Sequence, residues 1–184
     1  MKQKSIKEEI FILLRKKELH QRELERILRV NQTNIRRTLI SLESENIVDK
    51  KEIGKSKIYF IKDSLEGKIY SKFVEIYKLM KIIEKPKIRK IINEINKKIL
   101  DNELPSDLVI VLFGSYAKNL ETKESDIDMY INSSLKEHKK EIEEIDEKIN
   151  ILSGDLTKNK NLLEEINKDH IILNNLNGFE NLLK

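Results

Sequence analysis

Apolar residues in the first 63 positions recur every three or four residues, as in short amphipathic helices. Because positions at that spacing share one helix face, the pattern predicts helices over 5–17, 20–28 and about 32–45. Asn31 precedes the third helix and is expected to cap it by accepting a bond from a first-turn amide. Two apolar segments around Gly54, at 47–48 and 57–61, predict a pair of short strands. The region is therefore expected to fold as three helices followed by a β-hairpin.

The next 41 residues carry two further helical patterns. One covers 64–84 and places six apolar residues at spacings of 4, 4, 3, 4 and 3, namely Leu65, Ile69, Phe73, Ile76, Met80 and Ile83. This is the spacing of a heptad seam. Pro86 is expected to end that helix, and a second amphipathic helix is predicted over 87–101. The seam has two interpretations: it packs against the 87–101 helix, or it pairs with its twin in a homodimer.

Apolar runs and polar helical stretches alternate from Pro105 onward. The apolar runs predict strands at 108–113, 127–131, 149–152 and 170–173, and helices are predicted at 136–146, 162–168 and 176–183. This order predicts an α/β sandwich with a small mixed sheet. The whole chain is therefore expected to be α+β, with domains at 1–63 and 105–184 and a helical linker, also a candidate dimerisation segment, at 64–104.

Composition narrows the class of protein. A chain of 184 residues has room for two small domains, and the absence of cysteine excludes disulfides and thiolate metal sites. The three histidines, His20, His138 and His170, lie far apart and lack metal-ligand spacing. No apolar run approaches the roughly 18 to 20 residues that span a bilayer. A cytoplasmic protein without a membrane partner is expected.

Charge is divided unevenly along the chain. Residues 1–63 carry 16 Lys and Arg against 10 Asp and Glu, and residues 64–104 carry 10 against 6. Residues 105–184 reverse this balance, with 10 against 16. A basic first half favours a polyanion through phosphate contacts and counterion release, whereas an acidic second half repels one. The division indicates two domains with different partners.

The third predicted helix has the side chains of a DNA-reading helix. Gln and Asn pair bidentately with adenine, and Arg pairs with guanine or phosphate. The hairpin supplies lysines suited to backbone phosphates. From Leu28 to Ile35, and in the apolar residues that follow, the sequence resembles the winged helix-turn-helix regulators of bacteria and archaea. The resemblance implies a transcription regulator that binds double-stranded DNA through Gln32, Thr33, Asn34, Arg36, Arg37, Lys55 and Lys57.

A second motif follows the apolar run at 108–113. Gly114 and Ser115 are adjacent, and ten residues separate Ser115 from Asp126, which opens the run Asp126-Ile127-Asp128. This combination resembles the minimal nucleotidyltransferases, the small branch of the DNA polymerase beta superfamily. The resemblance covers residues 105–184. It implies a domain that takes a nucleoside triphosphate with Mg²⁺.

The chemistry of nucleotidyl transfer explains the motif. Gly114 lets the backbone approach a phosphate, and Ser115 offers a hydroxyl and an amide at a short helix N-terminus. Asp126 and Asp128 lie two apart on a strand, so their carboxylates share one face and are the candidate catalytic and Mg²⁺-binding pair. A second metal would complete a two-metal clamp. Lys118 is a candidate phosphate contact.

One position departs from the family pattern. Active members carry a third acid on the next core strand, and the matching run here, 148–152, places Asn150 there. An amide oxygen ligates a metal but brings no charge. Asp155, three residues past the run, replaces the acid only if the chain turns at Gly154. Either the register differs from this alignment or the metal site is weakened.

Three functions remain open at this stage. In the first, the chain is a DNA-binding regulator whose second domain binds nucleotide and Mg²⁺ with weak or absent catalysis. Alternatively, it is an active nucleotidyltransferase that transfers a nucleotide from an NTP to a protein, RNA or small-molecule acceptor. The third possibility is an interaction module similar to the antitoxins of this family, which have a toxin or another protein as partner.

Overall fold

The computed structural model describes residues 5–54 and 56–182. Its contacts divide the chain into two compact units, Met1–Tyr77 and Lys78–Lys184. The first unit combines helices with a small sheet, and the second is built on a larger mixed sheet, so the predicted α+β class is confirmed. The finer division after residues 63 and 104 stays a prediction. None of the helices in the described part of the chain is both long and apolar enough to cross a bilayer.

The first unit has the predicted three helices and hairpin, with one added strand. Its helices are α1 (Ile6–Lys16), α2 (Gln21–Leu28), α3 (Gln32–Ser44) and α4 (Leu65–Ile82), of which the last continues into the second unit. Its strands are β1 (Leu19–His20), β2 (Val48–Ile53) and β3 (Ser56–Ile61), arranged in the order β1-β3-β2 with antiparallel pairing. This is a winged helix-turn-helix fold.

The prediction was wrong at His20, which was expected to begin the second helix. His20 belongs to β1, where it pairs with Ile58, and its backbone N–H donates to the Glu23 carboxylate at 3.0 Å. Because that carboxylate accepts the bond, the pKa of Glu23 lies below its ordinary value. A strand of two residues is too short for any periodic pattern to reveal.

The helices of the first unit each turn one side toward a single hydrophobic core. The buried residues of α3 lie three or four positions apart, as the sequence pattern predicts, whereas α1 buries the adjacent residues Ile10 and Phe11. The Asn31 side chain caps α3 by accepting from the Asn34 amide at 2.9 Å, which confirms the predicted cap. The fully or nearly fully buried core comprises Ile10, Phe11, Leu14, Leu19, Leu24, Ile35, Leu39, Leu42, Ile47, Val48, Tyr59 and Val74.

The second unit is built on a four-stranded sheet. Its strands are β4 (Ile110–Leu112), β5 (Ile127–Ile131), β6 (Ile149–Ser153) and β7 (Ile171–Asn174), in the order β6-β5-β4-β7. β5 and β6 are parallel, whereas β4 pairs antiparallel with β5 and β7. Its other elements are α5 (Pro86–Leu100), α6 (Gly114–Ala117), α7 (Lys136–Glu143), α8 (Lys160–Lys168), α9 (Leu176–Leu182) and a 3₁₀ turn at Leu156–Lys158. The predicted mixed sheet is confirmed.

Helices cover both faces of this sheet. Strand residues alternate between the faces: one carries Ile110, Leu112, Met129 and Ile131, which pack with the buried isoleucines of α5. The other face packs against α8 and α9 through Val109, Val111, Phe113 and Tyr130. Burial of each large apolar side chain contributes about 1.5–3 kcal/mol. By the same alternation, Asp128 and Asn150 belong to the α8 face.

Several element bounds differ from the prediction by two or three residues. The helix expected over 136–146 ends at Glu143, and α4 ends at Ile82 rather than at residue 84. Pro86 is the first residue of α5, where its missing N–H costs nothing. Ile83, the last predicted member of the heptad seam, therefore lies outside α4 and packs partly buried in the core of the second unit.

Candidate functional site

The exposed side of α3 carries the predicted DNA-contact residues of the helix. Ile35, Leu39 and Leu42 hold the opposite side in the core. Because this packing fixes the helix, its first two turns present a row of amides and guanidinium groups to solvent. The exposed residues are Gln32, Thr33, Asn34, Arg36 and Arg37.

The wing formed by β2 and β3 offers fewer free cations than the sequence suggests. Lys57 is exposed, with its Nζ 4.0 Å from a carboxylate oxygen of Glu52. Lys50 contacts Glu43 at 2.6 Å, and that hydrogen bond raises the pKa of Lys50 above its ordinary value. Lys51 contacts Glu18 at 2.5 Å. Lys55 lies outside the described residues.

Gly114 and Asp128 form the centre of the second predicted site. The backbone N–H of Phe113 donates to the Asp128 carbonyl at 3.0 Å, which brings the start of α6 against β5. A Cβ on Gly114 would lie 3.2 Å from the Asp128 Cγ and still closer to one carboxylate oxygen. Gly114 also has φ +69°, a left-handed conformation that favours glycine. Only glycine allows this approach of the backbone to the carboxylate.

The remaining motif residues surround this contact. Asp126 is exposed immediately before β5, and Asp128 is half-buried within it. Asp128 lies on the α8 side of the sheet, and the expectation that the Asp126 carboxylate shares this side stays a prediction. Ser115, half-buried in α6, accepts the Leu120 N–H at its carbonyl at 2.9 Å, which closes the turn after the helix.

Asn150 lies directly beside Asp128. The two residues are register partners in the parallel pair of β5 and β6, and the Asn150 amide donates to Asp128 Oδ1 at 3.1 Å. An amide therefore lies beside Asp128 on the same face of the sheet, and its correspondence to the third acid of the family stays a prediction. Asp155 does not replace it: its carboxylate caps the 3₁₀ turn by accepting from the Thr157 hydroxyl and amide at 2.7 and 3.0 Å. These bonds lower the pKa of Asp155.

Lys118 has an acidic partner. Its Nζ contacts the Glu165 carboxylate of α8 at 3.0 Å, in a partly exposed ion pair. A phosphate would therefore compete with Glu165 for this lysine. The pair links the turn after α6 to the helix that covers the same face of the sheet.

The donor set fits one Mg²⁺ ion better than two. Mg²⁺ binds through one or two carboxylates together with phosphate oxygens and water, and Asp126 and Asp128 are the predicted pair. Within residues 5–54 and 56–182, no group of three or more histidines and acids has a metal-binding arrangement. With Asn150 donating an N–H to Asp128, the side chains for a second ion are not assembled.

Two contacts around this candidate site were not predicted from the sequence. The pairing of Lys118 with Glu165 joins residues 47 positions apart, and no local pattern reveals it. The hydrogen bond from Asn150 to Asp128 has a partial signal, since Asn150 occupies the aligned position of an acid, but its direction depends on the strand register.

Comparison with known proteins supports this architecture. The family model of the nucleotidyltransferase domain matches residues 88–178. Those residues are a nucleotidyltransferase domain, and the chain is a fusion of this domain with an N-terminal winged helix-turn-helix. No significant match was found among curated proteins.

Solved structures give only distant matches. The adhesin competence repressor AdcR from Streptococcus pyogenes matches at 17% identity with a TM-score of 0.40, over 55% of this chain and 77% of that one. An apo form of ZitR from Lactococcus lactis matches at 10% identity with a TM-score of 0.33, over 54% and 82% of the two chains. Likeness at this level supports no conclusion about function.

Proposed function

We propose that this chain is a DNA-binding transcription regulator whose nucleotidyltransferase domain binds an NTP with Mg²⁺ and turns it over weakly or not at all. The observation that carries the nucleotide half is the contact of Gly114 and Asp128, with Asn150 donating to the same carboxylate. The DNA half rests on the exposed polar face of α3 in a basic winged helix-turn-helix.

The residues of the nucleotide site have separate tasks in this proposal. Asp126 and Asp128 hold the ion, which neutralises phosphate charge when bound. Gly114 and Ser115 bring backbone and hydroxyl groups to the phosphates. Lys118 exchanges Glu165 for a phosphate oxygen. Each task is one of binding and positioning, so the site retains affinity without a third acid.

The proposed loss of turnover follows from the missing negative charge at position 150, where the side chain is a neutral amide. Nucleotidyl transfer depends on neutralising negative charge and on placing the attacking and leaving oxygens, which two metal ions accomplish together. With a neutral amide at position 150, which donates to Asp128, the arrangement has one carboxylate fewer to hold the two ions. Binding then persists while the chemical step slows.

Incubation with each of the four α-labelled NTPs, Mg²⁺ and a cell extract as acceptor source tests the weak-turnover part. We expect no macromolecule or small molecule to gain label above the level found with Asp126→Ala. Efficient labelling that disappears in Asp126→Ala would instead establish the alternative, an active nucleotidyltransferase.

Duplex DNA binding tests the other part. A double variant with Arg36→Glu and Arg37→Glu is expected to weaken DNA binding by on the order of 100-fold, since each arginine contact to a base or phosphate is worth about 1–3 kcal/mol. Affinity in the parent chain should also fall steeply as salt rises. Fluorescence anisotropy with labelled DNA measures both effects.

A matched control removes the same charge elsewhere. Lys158→Glu with Lys160→Glu alters two lysines around the start of α8 in the second unit, of which Lys158 is 82% exposed. This variant is expected to bind DNA as the parent does. Equal losses in both double variants would show that net charge, rather than α3, determines binding, and that the DNA half of the proposal is wrong.

A further inference from the structure

A row of large apolar side chains on α4 faces solvent. Leu65, Ile69, Phe73 and Ile76, here called the α4 stripe, are 70%, 60%, 49% and 50% exposed. All four lie in the first unit, and Met80, 60% exposed, continues their spacing along the same helix. Apolar residues scattered singly over a surface are ordinary, but a contiguous row marks an interaction surface.

The opposite side of the same helix is fixed in the core. Val74 is completely buried, and the Tyr70 ring packs edge-on against Phe11 with centroids 5.1 Å apart. Arg15 of α1 forms an ion pair with Glu75. Since one side is anchored by these contacts, the stripe is held outward on a well-defined helix rather than on a loose segment.

The spacing of the stripe identifies the shape of its partner. Steps of 4, 4, 3 and 4 residues from Leu65 to Met80 give a narrow seam that meets another helix of the same period along its length. A helix with matching period and matching side chains is a second α4. We propose that two copies of this chain pair through their α4 stripes and form a homodimer.

The available surface is sufficient for such a pair. A helix of 18 residues is about 27 Å long at 1.5 Å per residue. Five large side chains, each 49% exposed or more, present on the order of 500 Å² of apolar surface per copy. Complete burial of this surface in both copies would remove about 1,000 Å² from water, which is the lower limit for a specific interface.

Dimerisation adds to the proposed DNA function, because paired helix-turn-helix units read two half-sites related by a two-fold axis. The interface itself does not depend on that function. Mass and cross-linking are measured without DNA or nucleotide, so failure of the dimer is distinguishable from failure of DNA or nucleotide binding.

Light scattering of the full chain tests the interface. The parent is expected at twice the 21.8-kDa chain mass at micromolar concentration. Phe73→Glu and Ile76→Glu place like charges across the seam and are expected to give monomers. Leu100→Glu, at an 80% exposed residue that ends α5, is the control and should leave the dimer intact. A monomeric parent would overturn the proposal.

Single-cysteine variants locate the interface directly. The chain has no cysteine, so a disulfide in any such variant must join two molecules. Under mild oxidation we expect a covalent dimer from at least one of Ile69→Cys, Phe73→Cys and Ile76→Cys. Lys81→Cys, exposed on the same helix but away from the stripe, should remain uncross-linked. A dimeric parent whose mass survives both glutamate variants, or that cross-links only through Lys81→Cys, would contradict the α4 interface.

Discussion

Asn150 is the residue on which the proposed loss of turnover depends. Its amide donates to Asp128 Oδ1 at 3.1 Å and so stabilises a lone carboxylate without adding charge. Replacement by aspartate would put two carboxylates side by side on adjacent strands. Without a cation their repulsion opposes folding, whereas a bound Mg²⁺ relieves it.

Asn150→Asp is therefore expected to lower the melting temperature in EDTA and to recover with millimolar Mg²⁺. By mass action, a recovery of about 2.7 kcal/mol corresponds to Mg²⁺ at 100 times its Kd. Differential scanning fluorimetry with and without Mg²⁺ measures the change. Asn150→Ala is the control, because it removes the hydrogen bond without adding charge and should respond to Mg²⁺ no more than the parent. An identical Mg²⁺ response in both variants would show that position 150 is not at the metal site.

Gly114 permits a prediction about geometry rather than charge, because its proposed role is to let the backbone approach Asp128. Gly114→Ala adds a Cβ against the Asp128 carboxylate and strains a left-handed backbone by roughly 1–2 kcal/mol. The carboxylate must move, so we expect NTP affinity to fall by at least about tenfold in equilibrium binding assays.

Gly154→Ala separates backbone strain from the clash. Gly154 also has positive φ, +109°, but no atom lies within 4 Å of its added Cβ. This variant should lose stability while keeping NTP affinity. If both variants bind NTP equally, the close approach of Gly114 to Asp128 has no part in binding.

At the scale of elements, the contact of α1 with α4 depends on a buried hydrogen bond. The Tyr70 hydroxyl donates to the buried Glu8 carboxylate at 2.9 Å. Burial and this bond raise the pKa of Tyr70 far above its ordinary value, so the folded protein keeps the phenol neutral. Because the pKa is raised, the stabilisation of the fold by the neutral Tyr70 phenol is complete below about pH 10. It declines at higher pH, where the phenol of the unfolded chain ionises.

Tyr70→Phe is expected to lower the free energy of unfolding by about 1–3 kcal/mol at pH 7, because Glu8 loses a donor. The difference from the parent should narrow as pH rises above about 10. Urea unfolding followed by circular dichroism at pH 7 and pH 10.5 measures it. Tyr116→Phe, in the second unit, is the control. A constant difference at both pH values would show that the hydroxyl does not remain neutral in the folded state.

Long elements were predictable from the sequence because their periodicity reflects a buried face. The helix over 32–45 and the strand over 127–131 were expected within a residue of their observed bounds. β1 was missed because two residues carry no period, and its pairing with β3 joins positions about 40 apart. Likewise, Gly114 and Asp128 were recognised by their motif, but Glu165 beside Lys118 depends on how α8 packs.

At the scale of the whole molecule, the net charge changes sign after residue 104, which lies inside the second structural unit. The basic segment contains the winged helix-turn-helix, and the acidic segment contains the sheet that carries Asp126 and Asp128. Two ligands of different kind are therefore expected: a duplex held by phosphate contacts, and a nucleotide held through a cation. The proposed DNA site and the proposed nucleotide site belong to one chain, so nucleotide binding becomes a candidate signal for DNA binding.

Isothermal titration calorimetry with Mg²⁺ and each of the four common NTPs tests the nucleotide site most directly. The parent chain is predicted to release or absorb heat with at least one NTP, and a variant with both Asp126→Ala and Asp128→Ala is predicted to give none. A parent that unfolds cooperatively on heating yet gives no binding heat with any of the four would contradict this account.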